Sequence, residues 1–163
     1  MQTKEISKKG RYLIFFLGDE KYGIAIDHIK EIIAMMKITN VPKTPPFIQG
    51  VINLRGLIIP VVDTRMRFAM EHKEANMYTS IIIVEVQKIN VGFIVDSVEE
   101  VALIDESKLS APPKFSNSID MDFISWVAQI ENDVVMILDV LKLFEADELV
   151  TLEQIEQKHT QGE

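Results

Sequence analysis

The chain reads as a mainly all-β protein of the barrel or sandwich class. About nine apolar runs of strand length follow one another closely, turn residues separate most of them, and few segments carry a helical period. Each half holds hairpins and one proline-rich loop, which suggests two barrel lobes; no internal repeat is strong enough to assert a duplication.

The first hairpin joins runs 12–17 and 22–26 through Gly18-Asp19-Glu20-Lys21. Tyr22, Ile24 and Ile26 alternate with the small Gly23 and Ala25, so one face of the second run is apolar. Asp27 stands where an N-cap would, ahead of an expected helix of one to two turns on which Ile29, Ile32 and Ile33 share a face. Lys30 and Glu31 lie beside that face, nearer solvent. Pro42, Pro45 and Pro46 then interrupt regular structure, and Pro46 begins a single helical turn that Gly50 ends.

A central hairpin follows. Val51-Ile52 and run 57–62 flank the corner Asn53-Leu54-Arg55-Gly56, where Asn and Gly tolerate left-handed backbone angles. Arg55 is a guanidinium at the tip of an otherwise apolar unit, which marks the corner as a candidate working surface. Pro60 lacks a ladder donor and predicts an edge or a bulge. Asp63 is placed to cap a short basic turn with Arg65 and Arg67, and residues 69–77 read as a loop between lobes.

Runs 79–86 and 91–95 form another hairpin, which 98–104 continues. Pro112 and Pro113 break the loop 110–118. Runs 123–130 and 134–138 pair around Glu131-Asn132-Asp133, with Trp126 reading as a packing residue. Residues 139–144 suggest a helical turn. Leu149, Leu152 and Ile155 then give a terminal amphipathic helix.

At 163 residues, nearly half of them apolar, one domain or two small lobes with a shared core is expected. A net charge of −8 argues against nucleic acid or an anionic membrane as partner. The chain has no cysteine, so disulfide and thiolate chemistry are excluded. Lys8, Lys9 and Arg11 ahead of run 12–17 imitate a signal peptide, but Asp19-Glu20-Lys21 occupies the place of small cleavage-site residues. No apolar segment approaches the roughly 20 residues of a membrane-spanning helix, and a cytoplasmic protein is expected.

Catalytic signatures are lacking. His28, His72 and His159 have no metal-ligand spacing, and neither a glycine-rich phosphate cradle nor a hydrolase elbow occurs. Asp63 and Asp96 both follow apolar runs and form the one conceivable carboxylate pair for a hydrolase, although capping is the commoner use of Asp at strand ends.

The segments Phe16-Leu17-Gly18-Asp19-Glu20-Lys21-Tyr22-Gly23-Ile24, Val41-Pro42, Gly50-Val51-Ile52-Asn53-Leu54-Arg55-Gly56 and Pro60-Val61-Val62-Asp63 come in this order, followed by Arg65 and Phe68. With Gly92-Phe93-Ile94-Val95-Asp96-Ser97-Val98 and residues 134–144, they resemble the CheW family of bacterial chemotaxis coupling proteins over almost the whole chain. The resemblance implies a single CheW-like domain over 1–163, made of two five-stranded Src-homology-3-like barrels around a hydrophobic junction. Lobe one would span about 11–68 and lobe two about 78–140, with a C-terminal helix near 147–158.

It further implies a non-enzymatic adaptor without cofactor or metal. Such an adaptor joins the cytoplasmic tips of methyl-accepting chemoreceptors to the regulatory domain of the histidine kinase CheA, in membrane receptor arrays but without inserting into the membrane. By resemblance, the receptor tip docks at Ile29, Glu31, Ile32, Gly50, Val51 and Arg55, with Glu31 and Arg55 paired. One kinase contact uses the end of the first lobe and the other the loop holding Phe115. A coupler of another CheA-like pathway is the alternative, and the plain coupler fits this length better than the CheV type with its added receiver domain. The chain departs from the family at Ser125-Trp126, where relatives commonly have a glycine, and at Ser110 and Lys114 beside Phe115. It also has Ala69 in place of a usual glycine, an exchange expected to be harmless.

Overall fold

The computed structural model describes residues 10–112 and 123–161, with side chains through Glu156. Its strands are β1 (Arg11–Leu17), β2 (Glu20–Ala25), β3 (Ile29–Ala34), β4 (Ile48–Leu54), β5 (Leu57–Asp63), β6 (Ser80–Val86), β7 (Ile89–Val95), β8 (Ser97–Leu103), β9 (Leu109–Ser110), β10 (Ile124–Ile130) and β11 (Asp133–Leu138). Helix α1 (Thr64–Arg67) follows β5, helix α2 (Ala146–Gln161) closes the chain, and 3₁₀ turns occupy Ile26–His28, Glu106–Lys108 and Val140–Lys142.

The strands form two sheets, ordered β8-β1-β2-β11-β10-β9 and β3-β6-β7-β5-β4. All-β architecture in two lobes is thus correct, but the lobes are not consecutive in sequence. The first hairpin, β1–β2, joins the terminal lobe with β8 to β11, while β6–β7 joins the central lobe with β3 to β5. The division into 11–68 and 78–140 is therefore corrected. The 69–77 loop links α1 to β6 inside one lobe, and β8 leaves the β6–β7 hairpin to pair with β1. Pairing between distant segments leaves no local trace in sequence, so hairpins were legible and their partners were not.

The register reveals the duplication that sequence left unasserted. Gly23 stands opposite Ile14 and Ile137; Gly92 stands opposite Ile83 and Val61 in the same relation. A side chain at either glycine would collide with an isoleucine, since an added Cβ would lie 2.9 Å from Ile137 Cδ1 or 2.8 Å from Ile81 Cγ2. The Asp63 amide donates to Phe47 O and the Asp139 amide to Phe123 O, both at 2.8 Å. Each of these aspartates also caps the helical turn that follows it. Each half of the chain therefore contributes its first hairpin to the barrel completed by the other half.

This exchange creates the main core. Leu13, Phe15, Leu17, Tyr22 and Ile24 from one hairpin, and Ile82, Val84, Val86, Phe93 and Val95 from the other, belong to one buried cluster between the lobes. Phe68 stacks on Phe123 at 4.6 Å and Phe47 meets Phe144 at 6.2 Å, so aromatic rings from the two halves cross the junction in both directions. Helix α2 inserts Leu152 and Ile155, as its spacing predicts. The other faces of the same strands line smaller cores, one inside each barrel.

Two local expectations fail. Residues 29–34 are strand, not helix, because three isoleucines at χ1-restricted β-branched positions favour an extended chain. The i, i+3 partnership of Ile29 and Ile32 survives through a bulge that sets them opposite Val84 and Ile82. Gly50 likewise ends no helix. It lies in β4 at a bulge with φ +145°, where a Cβ would fall 2.0 Å from Thr39 O. Pro60 is in an inner strand, yet pairing of β5 with β7 begins one residue later, at Val61.

Ala69 is not neutral either. It takes φ +63° as the αL residue ending α1, with Met70 N bonded to Arg65 O at 2.7 Å and Ala69 N to Met66 O at 3.0 Å. Glycine would avoid a strain of about 1 kcal/mol at that position.

A charged brace spans this part of the fold. Arg65 Nε and Nη2 donate to Asp96 Oδ1 and Oδ2 at 2.9 and 2.7 Å, and the Gly18 amide donates to Asp96 Oδ2 at 2.7 Å. Burial pushes the Asp96 pKa upward, but the Arg65 guanidinium and the Gly18 amide outweigh it and hold the carboxyl below its ordinary value. The stability this supplies is fully present above the unfolded pKa of about 4 and is lost as pH falls through the lower folded value. Asp96→Asn is expected to cost about 3 kcal/mol at neutral pH, by leaving the poorly exposed Arg65 uncompensated, and to flatten the acid limb of the stability curve. Denaturant titrations across acidic pH measure both. Gly50→Ala is expected to lose about 3 kcal/mol or more through the Thr39 clash. Gly56→Ala, with open space around its Cβ, should lose only about 1 kcal/mol of backbone strain, so equal losses would show that the Thr39 approach is not what requires Gly50.

Candidate functional site: the seam of the central barrel

Strands β3 and β4 stand at opposite ends of their sheet order, yet Ile33 from β3 and Leu54 from β4 pack in one barrel core. The seam between them is closed in two places. Thr39 and Val51 exchange reciprocal backbone hydrogen bonds of 2.8 Å, which the missing side chain of Gly50 permits. Arg55 Nη2 then donates to Glu31 Oε1 at 2.6 Å.

The turn itself sets the guanidinium. Leu54 and Leu57 pair, so Arg55-Gly56 is a two-residue hairpin loop with φ of 53° and 92°, the left-handed conformation of a type I′ turn. Asn53 Oδ1 accepts the Gly56 amide at 2.8 Å and fixes the corner. Arg55 is 68% exposed and Glu31 34% exposed, so their bond orients more than it stabilises. The hydrogen bond from Arg55 is the chief cause of a lowered Glu31 pKa, and Glu31 raises that of Arg55 in turn.

The expected site residues divide by depth. Glu31 and Arg55 meet, Ile32 is 43% exposed on the other face of the edge strand β3, and Ile29 is half-buried against the inter-lobe core. Gly50 and Val51 are buried below them, so they shape the seam without offering side-chain surface. Phe115 lies outside the described residues. Sequence reasoning missed Met77 and Tyr78, 86% and 65% exposed, which enter β6 next to Ser80, the partner of Ala34 at the end of β3. Their only signal was two large apolar residues ending a polar loop.

The conceivable catalytic pair is otherwise engaged. Asp63 accepts from Met66 N at 3.3 Å and lies 2.7 Å from His72 Nδ1, while Asp96 is held by Arg65 and Gly18. Both carboxylates serve as strand-end braces. Among the described residues, no group of His, Cys, Asp and Glu is arranged to hold a metal, and no helix is long and apolar enough to cross a membrane.

The CheW-like domain family model matches residues 11–148. Chemotaxis protein CheW of Bacillus subtilis is 36% identical over 138 residues, covering 84% of this chain and 88% of that protein. Chemotaxis protein CheW of Klebsiella aerogenes is 30% identical over 148 residues, covering 91% and 89%. The crystal structure of the scaffolding protein TtCheW from Thermoanaerobacter tengcongensis superposes with a TM-score of 0.78 at 37% identity, covering 85% of this chain and 94% of that one. These likenesses run through both lobes and the seam between β3 and β4, and with them this chain belongs to the CheW-like family of non-enzymatic chemotaxis scaffold proteins.

Proposed function

We propose that the protein couples the cytoplasmic tips of methyl-accepting chemoreceptors to the regulatory domain of a CheA-type histidine kinase, and that it is recruited to membrane receptor arrays by those contacts. The observation that carries this reading is the Arg55–Glu31 bond on an exposed barrel seam. A guanidinium has five donors in a fixed plane, and Glu31 engages it without covering it, so the remaining donors face a partner in a set direction. Ile32 and the exposed part of Ile29 supply apolar contact beside it, on a strand edge that a receptor helix can lie across. Gly50 and Val51 hold the seam from beneath. The kinase contacts are the end of the β3–β7 lobe and the segment that carries Phe115.

Scaffolding of this kind works by raising the local concentration of kinase near receptor and by fixing its orientation, so a small receptor movement biases the kinase. No bond needs to be made or broken.

Arg55→Ala is expected to weaken binding of a receptor cytoplasmic fragment about tenfold or more, with an unchanged unfolding midpoint. Isothermal titration alongside a melt measures both quantities; unchanged affinity would remove Arg55 from the site. Phe115→Ala is expected to impair association with the kinase regulatory domain while leaving receptor binding near the parent value. Equal damage to the two would indicate misfolding instead.

A further inference from the structure

The outer face of the β3–β6 ribbon carries a built corner that the receptor contacts above do not use. Asn76 O accepts the Thr79 amide at 3.2 Å, which closes a turn around Met77 and Tyr78. The Asn76 side chain tightens it by accepting the Tyr78 amide at 2.8 Å, and the Asn76 amide donates to Thr79 Oγ1 at 2.9 Å. Thr79 is buried, so the turn is pinned to the barrel while Met77 and Tyr78 stay exposed. Two large apolar side chains held outward on a hydrogen-bonded turn form a presented surface.

The register gives this corner a counterpart. Ile32 and Ala34 share the outer face of β3, since Ile33 between them packs in the barrel core. Ile32 stands opposite Ile82, and Ala34 opposite Ser80. Two small residues are thus paired with bulk on either side of them, Ile32 in one direction along the ribbon and Met77-Tyr78 in the other. Ser80 Oγ donates to Tyr78 O at 3.2 Å, so its proton is already engaged. Ile82 and Tyr78 are four residues apart, about 13 Å at strand rise, and a helix with its side chains is about 10 to 12 Å across. The charged neighbours on β3 are occupied, Lys30 with Glu85 at 2.9 Å and Glu31 with Arg55, which leaves shape and apolar contact to select what lies here.

We propose that this saddle seats one helix of the receptor tip crosswise, with Ala34 and Ser80 as its floor and Ile32 and the Met77-Tyr78 corner as its rims. The inference rests on the receptor-coupling reading and deepens it, because it makes Met77 and Tyr78 the residues that choose between receptor tips. A helix is the occupant that the width admits, and Ile32, the shared rim, already belongs to the receptor face. A strand would pair with a sheet edge, whereas this surface is a sheet face. The helix that fits carries apolar side chains at i, i+3 and i+4 on the side turned to the saddle.

Isothermal titration with a receptor cytoplasmic fragment and with the kinase regulatory domain, alongside a melt of each variant, tests the saddle. Met77→Ala combined with Tyr78→Ala removes one rim and is expected to weaken receptor binding about tenfold; Ala34→Phe fills the floor and should weaken it at least as much. Both should leave kinase binding and the unfolding midpoint near the parent values. The rim variant alters only exposed side chains, so it decides even where the larger Phe disturbs the barrel. Parent-level receptor binding by the rim variant, while Arg55→Ala still weakens it, would overturn the saddle and leave the coupling reading standing. No receptor binding by the parent protein would overturn both. Loss of kinase binding alone would overturn the proposal by giving the corner to the kinase. A parent dimer in light scattering that the rim variant dissociates would overturn it in favour of a second copy of the chain.

Discussion

The exchange of hairpins across the junction is the constraint on which everything else depends. Neither half of the chain holds a complete barrel, since β1–β2 needs β8 and β11 while β6–β7 needs β3 and β5. Each hairpin also turns one face toward the shared core, where Phe15, Leu17, Ile82, Val84 and Phe93 are almost wholly buried. Burial of such side chains contributes about 1.5 to 3 kcal/mol each before entropy is counted, and the contributions are spent jointly by both lobes. Folding is therefore expected to be one cooperative event with high contact order.

The candidate seam between β3 and β4 inherits its rigidity from that arrangement. A barrel closes only if its open side is bridged, and here the segment after β3 meets β4 through the backbone bonds of Thr39 and Val51, with the Arg55–Glu31 bond joining β3 to the β4–β5 turn. Arg65, Asp96 and Gly18 brace the turn of β1–β2 against α1 and β7 on another side. Charged groups in this protein accordingly position loops around apolar barrels. Asp63, one of the two carboxylates that sequence offered as a conceivable catalytic pair, and Asp139 hold the same capping posts in the two halves.

Much of the fold was legible because it is local. Hairpins announce themselves through turn residues and alternation, and the nine runs read from sequence correspond to nine strands; helix α2 followed from Leu149, Leu152 and Ile155. Residues 29–34 misled because isoleucines at i, i+3 and i+4 satisfy a helical stripe, and a bulge gives two of them a common face in a strand. The lobe boundaries were misplaced because partner choice depends on contacts between distant residues. At the site, Arg55 stood out as a guanidinium on a left-handed turn, while its Glu31 partner came only from family resemblance. Gly50 was visible as a glycine, but its reason, a carbonyl on a segment eleven residues earlier, was not. Trp126 departs from the family pattern and reads as a packing residue, yet it stands 44% exposed on β10, which required coordinates.

The coupling proposed above requires that receptor and kinase bind the two lobes at the same time. Size-exclusion chromatography with light scattering, on the protein mixed with a receptor cytoplasmic fragment and a CheA-type regulatory domain, decides this. The expected result is a single peak whose mass includes all three components. Displacement of one partner by the other, or two separate binary complexes at saturating concentrations, would contradict it.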